Sequence, residues 1–265
     1  MTLDSCRFCN GETKFLCTSE ILTFSATYAS CITCKSVQVD SPHWIGDVHK
    51  KAISSFDVGL VSRGVSASKL ISVFFFLQGE LTIRGVDWGG GTGLLTRLLR
   101  DLGLSFKSYD KYASNIMAEG FTADDDLANE DYDAVSAIEC LEHLENPYSE
   151  LVNSVNGKRY FIFTTELLPF PYPDPSKKEW WYYMPDSGQH ITFASAKGLV
   201  ALAKRLNFQY NTTFGSIHIF SNKKVKWRTR HVLNNRLLRR ISLIIVPVYL
   251  QHSKSLLGKD SSLIH

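Results

Sequence analysis

Leu81-Thr82-Ile83-Arg84-Gly85-Val86-Asp87-Trp88-Gly89-Gly90-Gly91-Thr92-Gly93 decides the fold. The β-branched Ile83 and Val86 favour an extended strand. Gly89, Gly90, Gly91 and Gly93 break it. Leu94, Leu95, Leu98, Leu99 and Leu102 follow at helical spacing. Strand, glycine turn and helix open a nucleotide-binding βαβ unit. Without a Cβ, glycine lets the backbone turn sharply and approach a ligand. The helix N-terminus behind it favours electron-rich ligand groups.

Outward from this unit, strands and helices alternate. Leu104 to Tyr109 is a strand ending at Asp110, and an acidic loop with Asp124 and Asp125 follows a short strand near Phe121. Tyr132 to Ile138 is a strand ending at Glu139, and Pro147 starts a helix that runs to about Val155. Arg159 to Thr165 reads as a buried strand, then a loop rich in proline and aromatics spans Pro169 to Gln189. Ser195 to Leu206 is a helix with Ser195 or Thr192 near its cap. Phe208 to Phe214 and Ser216 to Ser221 form a hairpin around Gly215. Upstream, Val48 to Gln78 is helical with a break near Gly59 to Gly64. This order predicts an α/β fold, a mostly parallel sheet with helices on both faces and an antiparallel edge. Ligands on such sheets bind beyond the carboxyl ends of the strands. Asp87, Asp110, Asp124 or Asp125, and Glu139 all fall at such ends.

The chain has 265 residues, enough for one large domain with appendages. Its 44% hydrophobic and 21% charged content are those of a globular protein. The net charge of +3 hides an asymmetry: residues 221–265 carry ten Lys/Arg against Asp260 alone, so the body before them is mildly acidic. No signal-like apolar run follows a basic start, and Val73 to Leu77 and Ile241 to Leu250 are short against the ~20 residues of a bilayer span. These features predict a cytoplasmic protein whose cysteines are reduced or metal-bound. Cys6-x-x-Cys9 and Cys31-x-x-Cys34 have the spacing of two zinc knuckles. The apolar residues between them are too few for a core, a shortfall that a structural Zn²⁺ would make up. Cys17 and Cys140 are spare, and Cys17 lies where it could substitute as a ligand. The organisation expected is a zinc-ribbon segment over 1–42, the α/β domain over 43–221 and a basic, apolar tail over 222–265.

The sequence resembles the class I S-adenosylmethionine-dependent methyltransferases. The resemblance covers residues 65–221. It rests on Val86-Asp87-x-Gly89-x-Gly91-x-Gly93, on Asp110, and on Tyr132-Asp133-Ala134-Val135 leading into Ile138-Glu139-Cys140-Leu141-Glu142-His143-Leu144-Glu145-Asn146-Pro147. It implies a Rossmann-like seven-stranded sheet. It also implies that Asp87 and the glycine turn face the methionine part of S-adenosylmethionine, that Asp110 accepts from the ribose hydroxyls, and that Asp124 or Asp125 lies by the adenine. Trp88 and Glu139 would border the same pocket.

Methyl transfer needs a nucleophile held in line with the methyl, and an oxygen or carbon acceptor also calls for a base. His143, just after a strand that ends beside the cofactor, is the leading base, and His190 could reach the same mouth. Glu139, Glu142, His143 and His190 also resemble the Glu-x-x-Glu-His…His arrangement of metal-assisted O-methyltransferases, among them quinone-biosynthesis and RNA 2′-O-methyltransferases. Such a set could hold a divalent cation that lowers the pKa of an acceptor hydroxyl. The aromatic loop Trp180-Trp181-Tyr182-Tyr183-Met184-Pro185 is placed as a substrate lid. Zinc knuckles ahead of this core resemble deoxysugar C-methyltransferases and relatives associated with surface-polysaccharide synthesis, although those carry a further large domain. The expectation is O- or C-methylation of a sugar, nucleotide sugar or glycan. The alternatives are a metal-assisted O-methyltransferase acting on RNA or a quinone-like molecule, and a non-catalytic binding module. The tail, with Trp227 and leucines among its cations, suits an anionic membrane surface, RNA phosphates or another subunit.

Overall fold

The computed structural model describes residues 3–49 and 58–264. It begins with β1 (Thr13–Ile21), β2 (Phe24–Cys31), β3 (Val37–Asp40) and the short α1 (Ile45–His49). Then come α2 (Leu60–Gln78), β4 (Arg84–Trp88), α3 (Leu94–Asp101), β5 (Ser105–Tyr109), β6 (Ala134–Ala137), α4 (Pro147–Val155) and β7 (Tyr160–Thr164). The chain closes with β8 (Thr192–Phe193), α5 (Ala196–Arg205), β9 (Tyr210–Phe214), β10 (Ile217–Ser221), α6 (Trp227–Asn234), α7 (Arg236–Lys254) and α8 (Leu257–Ile264). The expectation for residues 50–57 lies outside the described residues.

The main sheet runs β5-β4-β6-β7-β10-β9. Its first four strands are parallel, and β10 and β9 close it as an antiparallel hairpin. Among the described residues it has six strands, where seven were expected. The strand expected near Phe121 is reduced to one bridge, Ser108 to Thr122. Strands covered on both faces must be apolar on both, and β7 is buried along its whole length. Its alternate side chains Phe161 and Phe163 meet α4 and α5, whereas Tyr160 and Ile162 meet the core formed with α2, α3 and α7. The helix starts follow local chemistry. Asn146 caps α4 with Pro147 in its first turn, and the Ser195 side chain, not Thr192, caps α5 by accepting from Gly198 N at 2.9 Å. α2, at 19 residues with mean hydropathy 1.5, is long and apolar enough to span a bilayer, unlike the short runs picked out in the sequence. Here it is a core helix: Ile71, Val73, Phe74 and Phe75 have no exposed surface.

The second sheet crosses the expected boundary at residue 42. Its order is β1-β2-β3-β8, and β8 comes from the region after the main-sheet strand β7. Tyr28, Val37 and Val39 share a core with Tyr182, Tyr183, Ile191 and Phe193. Buried Arg7 fastens the join. Its guanidinium donates to Ile191 O (2.8 Å), Thr192 Oγ1 (2.6 Å) and Val39 O (2.7 Å).

The tail is helical and docked. α6 and α7 pack on α2, with Leu233, Val246 and Leu250 in the core. α8 is fixed by Asp260, which is 2% exposed on its side chain and takes a two-pronged pair from Arg100 (Nη2–Oδ1 2.6 Å, Nε–Oδ2 2.7 Å). Removing one partner of a buried pair strands the other charge. Asp260→Ala is therefore expected to destabilise the protein by about 3–5 kcal/mol in urea unfolding. Lys259→Ala, beside it and exposed, should change stability by less than about 0.5 kcal/mol.

Candidate active site

β4 delivers Asp87 to the carboxyl edge of the main sheet, where the chain turns through the glycines. Gly90 N donates to Tyr109 O at 3.0 Å and Gly91 N to Asp110 Oδ2 at 2.8 Å. Asp110 Oδ1 accepts from Tyr112 N (2.7 Å) and Ala113 N (2.8 Å). Asp110 thus ties the glycine turn to the end of β5. A carboxylate offers about four lone-pair directions; three are engaged by backbone, which leaves less room for two ribose hydroxyls than the bare sequence suggests. The glycine requirement is clearest at two positions. Gly93 starts α3 at φ 85°, and a Cβ there would meet Asn115 Oδ1 at 1.9 Å. Gly91, at φ 57°, has nothing within 4 Å of the Cβ position, so its open side is the cradle a ligand could enter.

Asp87 is buried and accepts from Ser136 Oγ at 2.7 Å. Burial pushes its pKa up to about 7; the Ser136 hydrogen bond opposes this and the Asp110 charge adds to it. Ser136 sits directly beside Asp87 in the β4–β6 register. Sequence reasoning missed it because a serine within a strand carries no signal until the pairing is known. Trp88 is half-buried at the same edge, and Asp124 and Asp125 are exposed just beyond the Ser108–Thr122 bridge.

Past β6 the chain is strained, with Glu139 at φ 55°. Thr164 Oγ1 holds it, accepting from Glu139 N and donating to Glu139 Oε1, each at 2.7 Å. Arg63 Nε lies 3.2 Å from Glu139 Oε2. A single 3₁₀ turn, Leu141–His143, then turns Glu142 inward and leaves His143 half-buried. His190 arrives from the segment before β8, and its ring is 4.9 Å from that of His143, nearly perpendicular. One ligand atom each from Glu142, His143 and His190 lie within 4.8 Å of one another. Glu139 does not join this group; it is engaged by Arg63 and Thr164 instead. His190 Nδ1 is 2.7 Å from Tyr182 O. A carbonyl only accepts, so Nδ1 carries a proton. Glu142 has no exposed surface, and neither carboxylate oxygen makes a well-formed hydrogen bond among the described residues. Burial first, and the Glu139 charge second, push its pKa up to about 8. A neutral acid beside two imidazoles can share a proton with them, and the trio has the donor set for a divalent cation.

The aromatic loop is mainly structural. Tyr182 and Tyr183 are 2% and 1% exposed and belong to the core of the second sheet; only Trp181, at 68%, projects outward. The expected lid is therefore largely a wall behind His190. The four knuckle cysteines do converge: their Sγ atoms lie within 4.8 Å of one another, with Cys6–Cys34 at 3.5 Å and Cys9–Cys31 at 3.4 Å. A tetrahedral Zn–S₄ centre with Zn–S near 2.3 Å puts sulfurs about 3.8 Å apart. Thr33 N and Cys34 N each point at Cys31 Sγ (3.3 Å), as thiolate ligands require. Cys17 sits in the other core and is not part of the quartet.

A sequence model of the family described as "Methyltransferase domain" matches residues 64–213. A search of curated proteins returns no match. Among solved structures, the chain is similar to magnesium protoporphyrin IX methyltransferase from Synechocystis with bound S-adenosylmethionine, at 16% identity and a TM-score of 0.39 over 66% of this chain and 88% of that one. It is also similar to an S-adenosylmethionine-dependent methyltransferase of Thermotoga maritima (14%, TM-score 0.43, 69% and 98% covered). An O-methyltransferase family protein from Burkholderia thailandensis gives 13% identity, a TM-score of 0.43, and 60% and 55% coverage. At these scores the likeness decides nothing about substrate.

Asp87 and Glu142 both hold protons more tightly when folded than at their ordinary values of 3.8 and 4.5. Their contribution to stability is fully present below about pH 4 and is lost as pH rises through 7 to 8. At 1.36 kcal/mol per pKa unit, the loss is at most about 4–5 kcal/mol for each. Urea unfolding between pH 5 and 9 should show stability declining over that range, and Asp87→Asn with Glu142→Gln should flatten the decline.

Proposed function

Because the chain belongs to the methyltransferase-domain family, we propose that this enzyme transfers the methyl of S-adenosylmethionine to a sugar, nucleotide sugar or glycan. The observation that carries the cofactor assignment is the cradle at Gly91, open on its ligand side and fixed by Asp110. Asp87, Asp110 and the glycine turn would hold the cofactor, and Trp88, Asp124, Asp125 and Glu139 would border it. When bound, the cofactor supplies a methyl on a positively charged sulfur. The chain's part is to fix the acceptor in line and to take its proton. His143, half-buried beside the crevice, would take that proton from an acceptor hydroxyl as the methyl leaves the sulfur for the acceptor oxygen. His190 and Glu142 hold and relay charge behind it. A sugar is favoured over a larger flat acceptor by the knuckle-plus-catalytic-domain organisation, with Trp181 as an exposed ring for stacking.

The quartet Cys6, Cys9, Cys31 and Cys34 would hold a structural Zn²⁺ that stabilises the second sheet and, through Arg7, the segment carrying His190. The second reading, a metal-assisted O-methyltransferase acting on RNA or a quinone-like molecule, rests on the grouping of Glu142, His143 and His190.

Calorimetry should show one S-adenosylmethionine bound per chain, with Asp110→Ala weakening it by about tenfold or more. No binding by the unaltered chain would remove the cofactor assignment, and undiminished binding by the variant would remove Asp110 from it. His143→Ala should lower kcat by about 10²–10⁴ in a labelled-methyl assay against nucleotide sugars, glycans and RNA, with cofactor affinity unchanged. Elemental analysis should find a single zinc per chain, lost in Cys9→Ser with a fall in Tm. A further metal that disappears in Glu142→Ala would favour the second reading.

A further inference from the structure

A cavity of about 670 Å³ opens at the carboxyl edge of the main sheet. It lies between α2, the ends of β6 and β7, the β9–β10 turn and α7, one strand from the β4 edge that bears the glycine turn. This volume suits a small organic ligand. Its charge is unusual. Arg63, Lys69, Arg239 and Arg240 line it against one acid, Glu139. Arg63 faces Glu139 across a 3.2 Å ion pair. Lys69, Arg239 and Arg240 make no ion pair among the described residues. Like charges gathered on low-dielectric walls repel one another and attract an anion. The arginine fork matches phosphate oxygens in particular.

We propose that this cavity is the acceptor site of the methyl transfer and that it takes an acceptor bearing a phosphate or diphosphate ester. The proposal rests on the methyltransferase reading above and names the acceptor's charged handle. The phosphate does not react. It anchors the molecule among Arg239, Arg240 and Lys69 while the rest reaches toward Glu139 and Thr164 at the strand ends. This gives the basic tail a place in catalysis, because two of the four cations are on α7.

The phosphate has two sources, a soluble nucleotide or a lipid. Ile244 on the cavity wall also belongs to a stripe with Leu237, Ile241, Ile245, Val248 and Tyr249. These six are 43–68% exposed and recur at helical spacing on the solvent side of α7, beside Arg236 and Arg240. Such a face suits an anionic lipid surface.

The test is calorimetry of the full chain with inorganic pyrophosphate at low salt. Binding is expected, and Arg239→Ala/Arg240→Ala should weaken it by about tenfold or more. Lys254→Ala/Lys259→Ala removes the same charge away from the cavity and should leave it unchanged. Absence of pyrophosphate binding, or equal binding by the arginine variant, overturns the proposal. Two further arms assign the source, a nucleoside diphosphate in solution and phosphatidylcholine vesicles with and without phosphatidic acid. Arginine-dependent binding in either arm supports the proposal, and its absence from both overturns it. S-adenosylmethionine is titrated into the same samples. Cofactor binding without pyrophosphate binding sinks the anion site alone, whereas the converse sinks the methyltransferase reading and leaves the anion site standing.

Discussion

Three backbone N–H groups converge on the Asp110 carboxylate, and the crevice depends on that convergence. A run of glycines has many conformations open to it and loses more entropy than other residues when fixed. Charge-assisted hydrogen bonds from Gly91, Tyr112 and Ala113 restrain the turn and the loop after β5 together. The open side of Gly91 and the start of α3 at Gly93 are consequences of that restraint. Across the sheet edge, Asp87 and Glu142 are held in the opposite electrostatic condition, buried with weak compensation. The edge therefore joins one acid held by three backbone donors to two buried acids that hold protons near neutrality.

The second sheet is part of the same machinery. Ile191, next to His190, is held from both sides: its N donates to Glu142 O at 2.9 Å, and its O accepts from Val39 N and Arg7. Thr192 Oγ1 donates to Leu144 O at 2.7 Å. These bonds link the chain after Cys6 to both imidazoles through rigid backbone. Arg7 is buried deeply enough that desolvation lowers its pKa to about 10, yet it stays charged at neutral pH and all its recorded acceptors are neutral oxygens. Its worth is in position rather than in a paired charge.

Much of this is legible in the sequence. The glycine run, the strands ending at Asp110 and Glu139, the helix begun by Pro147 and the closing hairpin follow from local chemistry, and they fall within a residue or two of their places. Asp87, Asp110, His143 and His190 were picked out on position and type, and the fold brings the two imidazoles together. What was hidden depends on long-range pairing. Ser136 matters only because β6 lies in register with β4. Thr164 and Arg63 matter because strained Glu139 turns toward both. The aromatic run at 180–183 looked like a lid because composition cannot tell a ring that covers a substrate from one that packs beneath a sheet. The strand near Phe121 shrank to one bridge for a similar reason: residues 121–123 alternate buried and exposed, but pairing continues for only one step.

The pairing of β3 with β8 joins Val37 to Phe193. On a growing chain, β3 emerges long before its partner, so its outer edge stays bare while some 150 further residues are made. Contacts this distant close slowly, and an uncovered strand edge invites pairing with other chains in the interval. The four cysteines are complete by residue 34. A metal captured there would hold the early sheet in register while its edge waits. With such a metal, the N-terminal knuckles would act in time as well as in space, protecting an unfinished surface until the segment carrying His190 arrives to cover it.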